Sequence, residues 1–155
     1  MHYKRLVMKK LFILISLLTL SATAFATDQS FNATLKLFKP ITITKVQDLL
    51  FPNTTLTGSA FTVVVLTGAS GAATFNAQGG KNRNITTSVV EASINMSAPG
   101  VVGTIAVDTF GIAGPTAFDG SGNANGLKVG ATAHVLAASE DGDYSGTATF
   151  RVVYQ

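Results

Sequence analysis

The sequence predicts an all-β protein: an antiparallel two-sheet sandwich of seven to eight short strands behind an N-terminal export signal. Three observations point there. Thr, Val, Ile and Phe recur in short runs separated by Gly, Asn, Pro and Ser. Several runs alternate apolar with polar residues, the period of a strand with one buried face. Beyond the first 26 residues no window sustains the 3.6-residue period of an amphipathic helix. The length of 155 residues suits one domain. With 46% hydrophobic and 12% charged residues, the composition argues against disorder, which needs low hydrophobicity and high net charge.

The export signal comes first. Lys4, Arg5, Lys9 and Lys10 precede the apolar run Leu11–Leu20, and Ala24-Phe25-Ala26 supplies the small residues that a signal peptidase reads. Met1 and Met8 both fit as the start. The apolar core is about half of the ~20 residues that span a bilayer, so cleavage is expected instead of anchoring. Cleavage after Ala26 leaves residues 27–155, with seven of the eleven cations against all eight acids, a net charge of −1. The formal +3 of the whole chain therefore belongs to the signal, and no clustered basic face is left for nucleic acid. No later stretch is long and apolar enough to span a membrane. The absence of cysteine excludes a disulfide framework, a Cys-based zinc site and a thiol nucleophile.

The expected strands are Phe31–Phe38, Ile41–Val46, Ala60–Leu66, Ala72–Asn76, Ile85–Met96, Gly103–Val107, Leu127–Leu136 and Tyr144–Tyr154. Phe61, Val63 and Val65 should share a face. So should Val90, Ala92, Ile94 and Met96, and the row Leu127, Val129, Ala131, Ala133 and Val135. Turns are expected at 77–82, 98–100 and 119–126, where Gly, Asn, Asp and Pro collect.

The last strand carries the most specific pattern. Its even positions, Tyr144, Gly146, Ala148, Phe150, Val152 and Tyr154, are apolar or small, and five of the six odd positions from Ser145 to Gln155 are polar. Such a strand should be buried on one face along its whole length, with its edge covered or paired. Near the other end, Phe31, Ala33, Leu35 and Leu37 alternate with Asn32, Thr34, Lys36 and Phe38. Lys39-Pro40 then interrupts the ladder, since proline has no N–H to donate.

These features resemble Gram-negative chaperone–usher pilins. Such pilins end in an alternating strand with a penultimate tyrosine, here Tyr154, and a glycine fourteen residues from the end, here Gly142. The stretch from Leu127 through Gly142-Asp143-Tyr144-Ser145-Gly146-Thr147, together with Pro40-Ile41-Thr42-Ile43-Thr44-Lys45, is also similar to an uncharacterised family of small bacterial envelope domains with a spore-coat-type or archaic pilin layout. The resemblance covers the two ends well and residues 53–120 poorly. It implies an immunoglobulin-like sandwich lacking its final strand, with a groove closed first by a periplasmic chaperone and then by the N-terminal extension of the next subunit. Residues 1–26 would be the signal, 27–39 the extension, and 40–155 the domain. Phe31, Ala33, Leu35 and Leu37 would be the donor strand. Gly142, Tyr144, Gly146, Ala148, Phe150, Val152 and Tyr154 would form the C-terminal assembly strand. The implied partners are that chaperone, an outer-membrane usher, and further copies or related pilus subunits. The implied destination is the periplasm and then the cell surface.

Candidate chemistry is sparse. His134, the one histidine after the signal, falls on an even position opposite the apolar row of its strand, so it should face solvent. Asp119, Ser121, Asn123 and Asn125 resemble a calcium loop, but the glycine follows Asn125 and the twelfth position is Gly130 in place of a bidentate Glu, so a solvated turn is expected. The same holds for Glu140, Asp141 and Asp143. No G-x-S-x-G elbow, H-E-x-x-H pair or Walker loop occurs. The expectation is a non-enzymatic protein with no cofactor and no metal. A fibre subunit is the first reading. A stand-alone secreted or ligand-binding sandwich is the alternative, which aromatic loop tips, with Phe110 and Phe118 as candidates, would favour.

Overall fold

The computed structural model describes residues 27–155; the export signal expected at 1–26 lies outside the described residues. The chain divides into two units, Met1–Lys36 and Leu37–Gln155. In the first, residues 27–36 carry no secondary structure and are exposed, so the strand expected at Phe31–Phe38 is not formed.

The second unit is all-β. Its strands are β1 (Thr42–Gln47), β2 (Phe61–Val65), β3 (Ala73–Gln78), β4 (Ile85–Val89), β5 (Ile94–Met96), β6 (Ile105–Ala113), β7 (Asn123–Val135) and β8 (Phe150–Tyr154). Every pairing is antiparallel. One sheet has six strands, in the order β1-β3-β7-β6-β5 with β2 also on β7; the other pairs β4 with β8. At 13 residues β7 is the axis of the larger sheet. One edge carries β3 along its first half and β2 along its second, while β6 lies on the other edge. The handover from β2 to β3 needs Gly130: a Cβ there would overlap the Val65 carbonyl where β2 leaves the sheet.

The alternation read in the sequence places the core. Val65 and the row Leu127, Val129, Ala131, Ala133 and Val135 are buried, whereas Thr62 and Val64 are exposed. One cluster gathers Ala77, Ile85, Phe118, Ala124, Leu127 and Val152, joining the larger sheet to the β4–β8 pair. A second, at the other end of β7, gathers Ile105, Val107, Ala131, Ala133 and Val135. Burying side chains as large as Phe118, Leu127 and Val107 contributes about 1.5–3 kcal/mol each.

The two longest expected strands are each divided. Ile85–Met96 becomes β4 and β5, in different sheets, and of Tyr144–Tyr154 only the last five residues form β8. The two segments still run side by side. Val90 N–H donates to the Thr149 carbonyl, and Ser97 and Ser145 exchange both backbone hydrogen bonds at 2.9 Å. Between these contacts one side advances seven residues and the other four, so the first carries a bulge of three extra residues. An odd insertion flips the buried face. Accordingly Ile85, Thr87 and Val89 oppose Tyr154, Val152 and Phe150 in β4, while the even residues Ile94 and Met96 turn inward in β5. The expected row from Val90 to Met96 therefore begins only at Ile94, and Val90 and Ala92 are exposed. The bulge is where the chain passes from one sheet to the other.

Gly103–Val107 was expected as a short strand; β6 continues to Ala113 across a register shift between Asp108 and Gly111, where Thr109 adopts φ +52°. The expected turn at 119–126 is shorter than its composition suggests, since β7 begins at Asn123.

Candidate functional site

The site is built on β8. Gln155 N–H donates to the Asn84 carbonyl and Val90 N–H to the Thr149 carbonyl, so the odd residues of this strand direct their backbone groups towards β4. Antiparallel geometry then turns the N–H and C=O groups of Phe150, Val152 and Tyr154 to the opposite edge. Among the described residues β8 pairs with β4 alone. The side chains of the same three residues face inward: Val152 is buried, and Phe150 and Tyr154 pack against the first core cluster.

Across the layer lies a second unpaired edge. Among the described residues β1 pairs with β3 alone. Ile43 sits opposite the buried Ala77, so it shares the inward face, yet it stays 38% exposed; Ile41 packs on the same cluster and is half-buried. Phe75 stacks on Phe150 at 4.5 Å and 15° and is also half-buried. Among the described residues β1 and β8 thus each leave one edge unpaired, and the half-buried Ile41, Phe75 and Phe150 border a core in which Ala77 and Val152 are buried. Such an edge is a template for an added strand.

Tyr154 ties the end of β8 to its neighbouring segments. Its hydroxyl donates to the Lys39 carbonyl at 2.6 Å and accepts the Gly80 N–H at 2.7 Å. Its ring lies 5.1 Å from Phe38 and 5.8 Å, edge-on, from Phe118. A Cβ on Gly79 would overlap the Phe118 ring and the Tyr154 hydroxyl, which is why the sequence needs glycine there.

The rest of the expected assembly strand is placed elsewhere. Tyr144 is half-buried on the second core cluster, its hydroxyl donating to the Glu140 carbonyl at 3.1 Å. Gly146 and Ala148 are exposed and outside any strand, contrary to burial along the whole row. Their neighbourhood belongs to β5: a Cβ on Gly146 would come within 3.1 Å of the Asn95 carbonyl and of Met96. A Cβ on Gly142 would crowd Ala98 and Val101 at 3.0 and 3.1 Å. Both glycines therefore serve close packing. The expected donor residues Phe31, Leu35 and Leu37 are 88%, 81% and 77% exposed, and Ala33 is exposed too.

The candidate loop aromatics are not at tips. Phe118 is buried and Phe110 packs on the second cluster, because the β6 bulge turns it inward. His134 does lie on the outer face, half-exposed, and its Nε2–H donates to Asp108 Oδ1 at 2.8 Å. That partner, 26 residues away, left no local signal. Hydrogen bonds from His134 and then Thr109 hold the Asp108 carboxyl below its ordinary value. Asp119 accepts the Asn123 and Ser121 N–H groups at 2.9 and 2.8 Å, which lowers its pKa and makes the loop a carboxylate-capped turn. At the bulge Glu91 accepts Thr149 N–H and Thr149 O–H, and its carboxyl is likewise lowered. Neither this contact nor the bulge it spans had a local signal in the sequence.

A family model matches residues 50–154, which takes in β2 through β8. The chain belongs to the family described as domain of unknown function DUF4402. The DUF4402 range includes the β8 edge and stops short of β1 and the N-terminal segment. Neither curated proteins nor solved structures yield a match.

Proposed function

We propose that this DUF4402 chain is a structural subunit of a bacterial surface fibre, assembled by strand addition: residues 31–37 of one copy enter a groove formed between the unpaired β1 and β8 edges of another. The observation that carries this reading is the pair of unpaired edges, on β1 and β8, with the partly exposed apolar residues Ile41, Ile43, Phe75 and Phe150 beside them. The arm offers the matching pattern. Phe31, Ala33, Leu35 and Leu37 alternate, and seven extended residues reach about 23 Å at ~3.3 Å each, more than the five residues of β8 require. Main-chain hydrogen bonds to Phe150, Val152 and Tyr154 would supply affinity, and alternate side chains would fill the groove. An unfilled groove of this kind would need a covering partner before assembly, the role of a periplasmic chaperone, and delivery through an outer-membrane usher to the cell surface. The burial of Phe118 and the packing of Phe110 remove the features that would have favoured a stand-alone ligand-binding sandwich.

The test is polymerisation. The exported chain should form detergent-resistant ladders. A chain lacking residues 27–38 should donate to no neighbour but still bind a synthetic peptide of residues 31–38. A full chain that stays monomeric at high concentration, with a truncated chain that ignores the peptide, would overturn the reading.

A further inference from the structure

Tyr154 does more than fill the core end of β8. One phenol oxygen joins three parts of the chain: the last residue of β8, the Gly80 amide after β3, and the Lys39 carbonyl just before β1. Both bonds are short, and the oxygen is used once as donor and once as acceptor, its full capacity for one donor and one good acceptor site. The Phe38 ring is held from two sides, by Tyr154 at 5.1 Å and by the Arg83 guanidinium 5.2 Å above its centroid. Phe38 and Lys39 are the root of the N-terminal arm, and Pro40 restricts the residue before it to extended backbone. Residues 27–37 have no secondary structure, and the chain after Pro40 enters β1.

We propose that Tyr154 is a positioning residue that clamps the root of the arm, Phe38 and Lys39, beside the unpaired β8 edge, so that the arm leaves the domain from one fixed point. Resting on the fibre reading, this makes the residue bordering the strand-accepting edge also the residue that presents the strand-donating arm. A pre-positioned arm loses less conformational freedom when it binds another copy. The clamp itself is a property of the single chain and is tested without assembly.

The absence of cysteine allows one nitroxide label per variant. A label at Lys36→Cys reports the root, and a label at Ser30→Cys reports the distal arm. In the exported full chain, Tyr154→Phe keeps the ring and removes both hydrogen bonds. It should raise the ratio of mobile to immobile spectral component at position 36 about fivefold, the effect of one net hydrogen bond on an equilibrium, and leave position 30 unchanged. Gly80 amide exchange should quicken by a similar factor, while the thermal unfolding midpoint stays within a few degrees. Phe38→Ala, which strips the ring from the same clamp and leaves Tyr154 in place, should mobilise position 36 too and keeps the test available if Tyr154→Phe fails to fold. Equal mobility at position 36 in the parent and both variants would overturn the clamp. Polymer ladders of the same unlabelled chains keep the two ideas apart: a parent that never polymerises contradicts the fibre reading, while the spectra alone decide the clamp.

Discussion

Glu91 holds Thr149 by two hydrogen bonds, taking its backbone N–H at 2.7 Å and its hydroxyl at 2.8 Å, across the point where the chain passes between sheets. The contact fixes the three-residue bulge that lets one pair of antiparallel segments serve both layers. Because these bonds favour the carboxylate, the Glu91 pKa in the fold lies below its ordinary value, as do those of Asp108 and Asp119. A depressed carboxyl contributes stability that is present above its unfolded pKa and is lost as pH falls through the folded one. The urea midpoint should thus be flat from neutrality to about pH 5 and decline below about pH 4. Glu91→Gln should make that decline shallower and speed exchange of the Thr149 amide. An acid limb identical in the variant would show that the contact is not formed in solution.

The phase of β8 is tested by paired substitutions. Phe150 stacks on Phe75 and packs on the core, while Arg151 is exposed. Phe150→Ala should cost about 2–3 kcal/mol, below the full cost of a buried ring because this one is half-exposed. Arg151→Ala should stay within about 0.5 kcal/mol. Denaturant unfolding measures both, and equal losses would mean that the strand is turned the other way.

Close packing at the handover from β2 to β3 gives a sharper contrast. Gly130→Ala pushes a methyl group into the Val65 carbonyl and should destabilise by about 2–3 kcal/mol. Gly68, in the turn after β2, has open space around its Cα, so Gly68→Ala should change stability by no more than about 0.5 kcal/mol. Thermal melts of the two variants compare them directly.

The alternation that predicted the strands was a sound guide to face. Val63 with Val65, Ala131 with Ala133, and Phe150 with Val152 all point as the period of two requires. It failed where an insertion changed the phase. The bulge after Val90 and the one at Thr109 each exchange inside for outside, and the apolar residues around them look regular in either phase. Phe118 was misplaced for a different reason: an isolated aromatic between turn residues reads as exposed, and only Gly79, 39 residues away in sequence and adjacent in space, reveals the room made for it. In the candidate site, the apolar row at 150–154 was legible, but the unpaired edge beside it was not, because pairing is a property of neighbours and not of a strand. The alternation at 31–37 likewise looks the same whether its partner lies in the same chain or in another.

Assembly should respond to the inward face of the arm and groove alone. Leu35→Asp would bury a carboxylate without a partner and should abolish ladders, as should Ile43→Asp in the groove wall. Lys36→Ala, on the polar face of the arm, should leave ladder formation unchanged. Loss of assembly with Lys36→Ala equal to that with Leu35→Asp would show that the arm does not enter as an alternating strand.

The most direct measurement of strand addition is residue-resolved amide exchange at β8, comparing the assembled full chain with monomeric Leu35→Asp. The Ser88, Arg151 and Val153 amides lie in the β4–β8 ladder and should be protected in both states, whereas Phe150, Val152 and Tyr154 face the unpaired edge and should gain protection only on assembly. Assembled material in which Phe150, Val152 and Tyr154 exchange as fast as in the monomer would contradict the account, because no strand would then have been added at that edge.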